Sequence, residues 1–334
     1  MQTLPQAATD YSRATTREQV EAVKAIRRQW RRVGTDFDRG WSLIAPSVIA
    51  IVSTAQRRMV DEAIKYVPEV LEDTGQTRAI RAAAESNTSA FVGVTGAGVS
   101  TSDALSVAPI RAKQAVASGE TASQALRSAG LWLTASVGTI LSDTGRAAET
   151  TEIAVRPIGG YVRMLTPPSC GRCVVLAGKR YKYNAGFDRH PGCDCRHIPA
   201  SESVAGDLTV DLHAYLDSLD EAGQIKLLGS RANYEAWKEY GANPQQIINA
   251  YRGGIRTAQD LRGGTVKYTT DASTRLSAAT YWMRNASRLD RDAGAVFLPA
   301  GGRGLVRRMP ETILRTTQGR DRILHQLRLY GWIG

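Results

Sequence analysis

The sequence predicts a mainly α fold carrying a small α+β module stapled by zinc: a helical N-terminal half, a short-strand hairpin at a cysteine cluster, and a helical C-terminal part. Three observations carry that prediction. Apolar residues recur every three to four positions through much of the first 150 residues. Glycine and proline become dense around Arg156, where the helical pattern breaks. All four cysteines of the 334-residue chain fall within one 26-residue window. The predicted organisation is a helical domain over 1–150, a cysteine-rich zinc module over 151–205, and a helical region over 206–334 that packs on the module.

Taken in order, Thr15 followed by Glu18 forms a capping-box pattern at a helix start. Val20, Val23, Ile26, Trp30 and Val33 then give one apolar stripe, with Lys24, Arg27, Arg28, Arg31 and Arg32 between them. That basic face reads either as solvated helix surface or as a contact for DNA or an acidic neighbour. Further helices are predicted over 47–71, 77–89, 103–117 and 121–141. Asp73-Thr74-Gly75 and Ser118-Gly119-Glu120 punctuate them. The glycine-rich stretch Gly93–Gly98 lacks the following Lys-Ser or Lys-Thr of a phosphate loop and reads as a connection.

Beyond Arg156, Tyr161–Leu165 reads as a short strand, and Val174–Leu176 with Tyr181–Tyr183 as a hairpin between the cysteine pairs. Helices are predicted again over 211–228, 233–240, 244–251, 273–288 and 320–330.

At 43% hydrophobic residues the chain is able to bury a sizeable core, and its net charge is +11. The basic excess is densest at the cysteines: residues 151–200 hold eight Lys or Arg against three Asp or Glu. Such a surface attracts nucleic acid or an acidic protein. The longest apolar stretches, around 41–54 and 131–141, fall short of the roughly 20 residues that cross a bilayer, so no membrane span is expected. No apolar leader with a basic flank and small-residue cleavage site is read at the N-terminus.

The cysteines read Cys170-Gly-Arg-Cys173, then Cys193-Asp-Cys195, with His190 before the second pair and His197 after it. Thiolates are soft zinc ligands, and a C-x2-C pair presents two sulfurs from one turn. Cys170 and Cys173 with Cys193, Cys195 and His190 are the candidate zinc ligands. Whether His190 replaces Cys193 or Cys195 as a fourth ligand is open at the level of spacing. A disulfide or redox switch, and a set of inert buried thiols, are the rival readings. A site filled by four protein groups is structural and leaves no place for a catalytic water.

Catalytic patterns are sparse. Neither H-E-x-x-H nor G-x-S-x-G occurs. A serine-protease triad would have to recruit His213 beside Asp211, or His325 beside Asp321. Asp188, Arg189, His190 and Asp194 suggest nuclease chemistry, but thiolates outnumber the hard oxygen ligands there.

The segment 167–200, PPSCGRCVVLAGKRY through GFDRHPGCDCRHIPA, resembles the signature of the phage Mu F-like minor head proteins, in particular the variant of actinobacterial tailed phages. The family's pattern falls on Cys170, Cys173, His190, Pro191, Cys193 and Cys195. GANPQQIINAYRGG at 241–254 and the closing RMPETIL and LRLYGWIG segments fit the same resemblance. It implies a minor capsid or head-morphogenesis protein near the portal vertex, acting in head assembly or in DNA packaging and delivery. The expected partners are the portal protein, the major capsid or scaffold protein, and packaged DNA. The expected location is the virion, with the host cytoplasm during assembly. Relatives of this group are often called capsid maturation proteases, which makes protease activity the first alternative; a zinc DNA-binding protein is the second.

Overall fold

Long helices built on one repeating apolar stripe set the architecture of the N-terminal part. The computed structural model describes residues 4–165, 169, 171–182, 196–205, 211–251, 255–260, 263–269, 287, 295–297 and 303–333. They form two units: one comprises 2–169 and 177–209, the other 170–176 and 210–334. The backbone therefore passes from one unit to the other within the cysteine window and returns.

In the first unit, α1 (Gln6–Trp30), α2 (Phe37–Asp73) and α5 (Ala122–Ala154) are helices of 25, 37 and 33 residues. The short helices α3 (Thr101–Leu105) and α4 (Val107–Ala117) pack beside them. Ile44, Val48, Val52, Met59, Ala63, Val67 and Leu71 give α2 a buried seam at helical spacing. Its first part, through Met59, meets Ile26 and Trp30 of α1 and Leu133, Val137 and Leu141 of α5, and its last part meets Tyr11 of α1 and Ala148 and Ile153 of α5. Gly130, Gly138 and Gly145 let α1 lie close on α5. A Cβ at Gly130 would stand 2.7 Å from the Trp30 ring, and one at Gly138 would stand 2.9 Å from Gln19 Nε2.

Helix boundaries differ from the predicted ones for local reasons. α1 begins at Gln6, and Thr15 lies inside it, its hydroxyl bonding back to the Tyr11 carbonyl at 2.8 Å instead of capping. α2 is capped by Asp36, whose carboxylate accepts the Arg39 amide, and runs through Pro46. Pro46 and Ser42 are both exposed, so water can solvate the carbonyl that the proline leaves without a donor. Thr121 and Gln124 form the capping box that opens α5. The helix predicted over 77–89 is replaced by short 3-10 turns at Thr77–Ala79 and Thr88–Phe91. Its backbone groups bond elsewhere: the Ala83 amide to the Val155 carbonyl, the Ile80 carbonyl to Arg156. Gly93–Gly98 is a pinned turn, because buried Gln56 accepts the Gly93 amide and donates to the Val94 carbonyl.

A three-stranded antiparallel sheet completes this unit. Strand β1 (Gly160–Met164) pairs on one side with β2 (Arg180–Lys182) and on the other with β3 (Arg196–Pro199). Between β1 and β2 lies α6 (Gly171–Leu176), which belongs to the other unit. After β3 comes the short α7 (Glu202–Ala205).

The second unit joins α6 to α8 (Leu212–Asp217), α9 (Glu221–Leu228), α10 (Arg231–Tyr240) and α11 (Pro244–Ala250). These are followed by strands β4 (Ile255–Asp260), β5 (Thr265–Thr269), β6 (Ala295–Phe297), β7 (Arg303–Leu305) and β8 (Arg307–Arg308). Helices α12 (Pro310–Thr316) and α13 (Arg320–Leu329) close the unit. The strands form one antiparallel sheet in the order β7-β6-β4-β5-β8, where the sequence predicts a helical region and no strand. The predicted helix over 273–288 lies outside the described residues, apart from Ser287. Trp332 is fully buried, with Arg307 stacked 3.7 Å from its ring centre and its indole N–H donating to the Arg308 carbonyl.

The predicted zinc-stapled module is corrected on three grounds. Residues 151–205 are not a self-standing module, because their strands belong to the helical unit and α6 belongs to the other. Val174–Leu176 are helical rather than one arm of a hairpin, and the sheet forms from segments flanking the cysteines. Among the described residues, no group of three or more His, Cys, Asp or Glu is arranged to hold a metal ion.

Candidate functional site

Of the predicted zinc ligands, Cys170, His190, Cys193 and Cys195 lie outside the described residues. Cys173 is described and buried on α6. That helix packs tightly: a Cβ on Gly171 would come 2.8 Å from the Leu227 carbonyl oxygen and 3.2 Å from Ile248. The first cysteine pair therefore straddles a glycine that close helix packing requires. As a donor set, four thiolates and an imidazole have the chemistry of a closed zinc site.

The residues that directly follow the second pair are placed with more consequence. Arg196 and His197 open β3 and are buried to 1% and 0% exposure. Opposite them on α5 stands Glu149, also 0% exposed. Its Oε2 accepts the His197 backbone N–H at 3.0 Å and lies 3.5 Å from the His197 Nδ1. The Tyr66 hydroxyl donates to the His197 carbonyl at 2.7 Å, and Arg196 Nη2 donates to the Thr15 hydroxyl at 3.0 Å. Tyr11 stacks on Tyr66 with ring centres 4.3 Å apart, and the Arg196 guanidinium lies over the Tyr11 ring. Tyr161 of β1 covers the imidazole, 4.0 Å between ring centres. Groups from α1, α2 and α5 thus converge on two residues of one strand.

Burial dominates the electrostatics. It pushes the Glu149 carboxyl up from its ordinary value of 4.5, while Arg196, the facing Tyr11 hydroxyl, the His197 amide and Arg146 pull it back. The Tyr11 and Tyr66 hydroxyls are raised well above 10.0, first by burial and then by the Glu149 charge. A second ion pair, Arg156 with Glu152 at 2.5 Å, is nearly buried one turn along, and Ser86 donates to the same Glu152 carboxylate. Glu149 therefore ties β3 to α5, while Glu152 and Arg156 hold the 80–86 segment against the same helix. Glu149 and His197 resemble a proton-transfer pair, but both are sealed from solvent. What they do here is hold β3.

The remaining candidates do not converge. Asp211 caps α8, its carboxylate accepting the Ala214 amide at 2.8 Å, and His213 is exposed on that helix. His325 is exposed on α13. Asp188, Arg189 and Asp194 lie outside the described residues. The buried network escaped the sequence reading, although one signal was there. Glu149 and Glu152 sit on the stripe Leu141, Gly145, Ala148 and Ile153, where a carboxylate demands a buried partner.

Comparison with protein-family models, with curated proteins and with solved structures finds no match.

Proposed function

We propose that this chain is a phage minor head protein of the Mu F-like type, acting near the portal vertex in head assembly or DNA delivery. The observation that carries the reading is the Cys170-Gly-Arg-Cys173 and His190-Pro-Gly-Cys193-Asp-Cys195 pattern of the 167–200 segment. One feature supports it: within the segment the backbone passes from one unit to the other, each with its own apolar core. Zinc held by the cysteines and His190 belongs to this proposal as a local clasp, on whose presence the helical core does not depend.

Co-assembly tests the reading. Tagged protein expressed with the portal, scaffold and shell proteins of the phage that encodes it should sediment with procapsids at low copy number. Protein that stays at the top of the gradient while procapsids form normally would overturn it. The maturation-protease alternative requires scaffold or shell processing that is lost in His213→Ala or His325→Ala. Unchanged processing in both variants removes those candidates.

A further inference from the structure

We propose that the solvent face of α1 is a docking surface for the phosphate backbone of double-stranded DNA. Arg13, Arg17 and Lys24 lie along the helix, and Arg27, Arg28, Arg31 and Arg32 in its last turn and just beyond; all seven are exposed. At 100° per residue they fall within an arc of about 140°, over a rise of about 28 Å. The buried residues Ala8, Tyr11, Thr15, Ala22 and Ile26 fall on the opposite side. The amphipathic helix that builds the core therefore presents one continuous cationic ridge.

The ridge is not neutralised internally. Asp10 pairs with Arg13 at 3.6 Å, and Glu21 is the other carboxylate on this face. Among the described residues no ion pair involves Arg17, Lys24, Arg27, Arg28, Arg31 or Arg32; Arg32 donates to the neutral Gln29 side chain. Helix-dipole compensation accounts for cations in the last turn only, since that effect fades within one turn of the end. Arg13, Arg17 and Lys24 lie too far back to gain from it.

The chemistry favours a polyanion over an acidic protein. Protein docking sites centre on buried aromatic or aliphatic anchors. The one large apolar side chain exposed along the ridge is Val20, at 44%. Evenly distributed guanidinium groups without an anchor suit a partner whose charge repeats, and duplex DNA carries one charge per about 1.7 Å of axis. This inference goes beyond the head-protein proposal and does not rest on it, because the test uses purified protein alone.

The full chain is titrated with a fluorescently labelled duplex of arbitrary sequence over a range of salt. Five to seven phosphate contacts predict a slope of about −4.5 to −6.3 for log affinity against log salt, independent of DNA sequence. Replacing Arg27, Arg28, Arg31 and Arg32 together by Gln should lower the slope magnitude by up to about 3.6 and weaken binding more than about thirtyfold near 0.15 M salt. Should that variant lose its helical circular dichroism, Arg13→Gln, Arg17→Gln and Lys24→Gln combined decide the matter, with an expected loss of up to about 2.7 in slope. Replacing the exposed Lys226, Arg322 and Arg328 of the second unit by Gln should leave the slope at the wild-type value. A flat wild-type slope overturns the proposal. So do ridge variants that keep the full slope, or polyglutamate binding as tight as DNA at equal charge, which would mark an acidic protein as the partner.

Discussion

Glu149 Oε2 accepts the backbone N–H of His197 at 3.0 Å, joining α5 to β3 across 48 residues of sequence in a wholly buried setting. The same carboxylate is the counter-charge for Arg196, which is itself 1% exposed. Removing one member of a buried charge pair leaves the other desolvated, at a cost of about 3–5 kcal/mol. Glu149→Ala should therefore lower stability by that order in urea unfolding. Glu149→Gln keeps a carbonyl acceptor for the His197 amide and should cost less. Equal losses in the two variants would show that the amide bond contributes little.

The pH dependence follows from the direction of the Glu149 shift. Its folded pKa lies above the ordinary 4.5, so between those values the folded state binds more protons than the unfolded. Stability from this group is fully present below the ordinary value and is lost as pH rises through the raised one. Compared with Glu149→Gln, the wild type should lose stability across that window as pH increases. Thermal melts of both proteins at a series of pH values measure the difference; parallel profiles would contradict it.

Gly130 sets two effects against each other. Alanine in a helix interior gains about 1 kcal/mol over glycine. A Cβ there would stand 2.7 Å from the Trp30 ring, whose indole N–H is held by the Leu126 carbonyl at 2.8 Å, so the ring has little freedom to retreat. Overpacking of this kind costs about 1–3 kcal/mol. Gly130→Ala should be neutral to destabilising by about 2 kcal/mol, the difference of those terms. Adding Trp30→Phe should relieve the clash, and a double-mutant cycle measures that coupling.

The cysteine window carries its own prediction. Freshly purified, reduced protein should contain about one zinc per chain, as four protein ligands bind one ion. Stripping it should leave the helical signal of α1, α2 and α5 intact, because their core is formed by residues outside the window. Less than stoichiometric zinc removes the metal from the proposal, and collapse of the bundle on chelation would restore the metal to a global role.

Periodic apolar spacing made the long helices legible: the stripe through Ile26 and Trp30 and the helices expected over 47–71 and 121–141 fall within α1, α2 and α5, apart from Thr121, which caps α5. Boundaries were less so. Thr15 has the composition of a cap, but its hydroxyl serves as a buried acceptor for Arg196, a residue 181 positions away. The 77–89 segment has helical composition, yet tertiary hydrogen bonds from Arg156 and Val155 take its backbone. In the second sheet β4 shows no clean alternation, whereas β5 alternates exposed Thr265 and Lys267 with buried Val266 and Tyr268 over a run too short to stand out. Glu149 was visible as a misplaced carboxylate. Its partners Arg196 and His197 could not be assigned to it, since only the register of β3 brings them there.

The head-protein proposal is tested most directly by quantitative mass spectrometry of purified infectious virions of the phage encoding this chain. The account predicts peptides from both the α1–α5 bundle and the C-terminal unit, in equal and low copy number relative to the shell protein. Particles that are infectious yet contain no trace of the chain would contradict it.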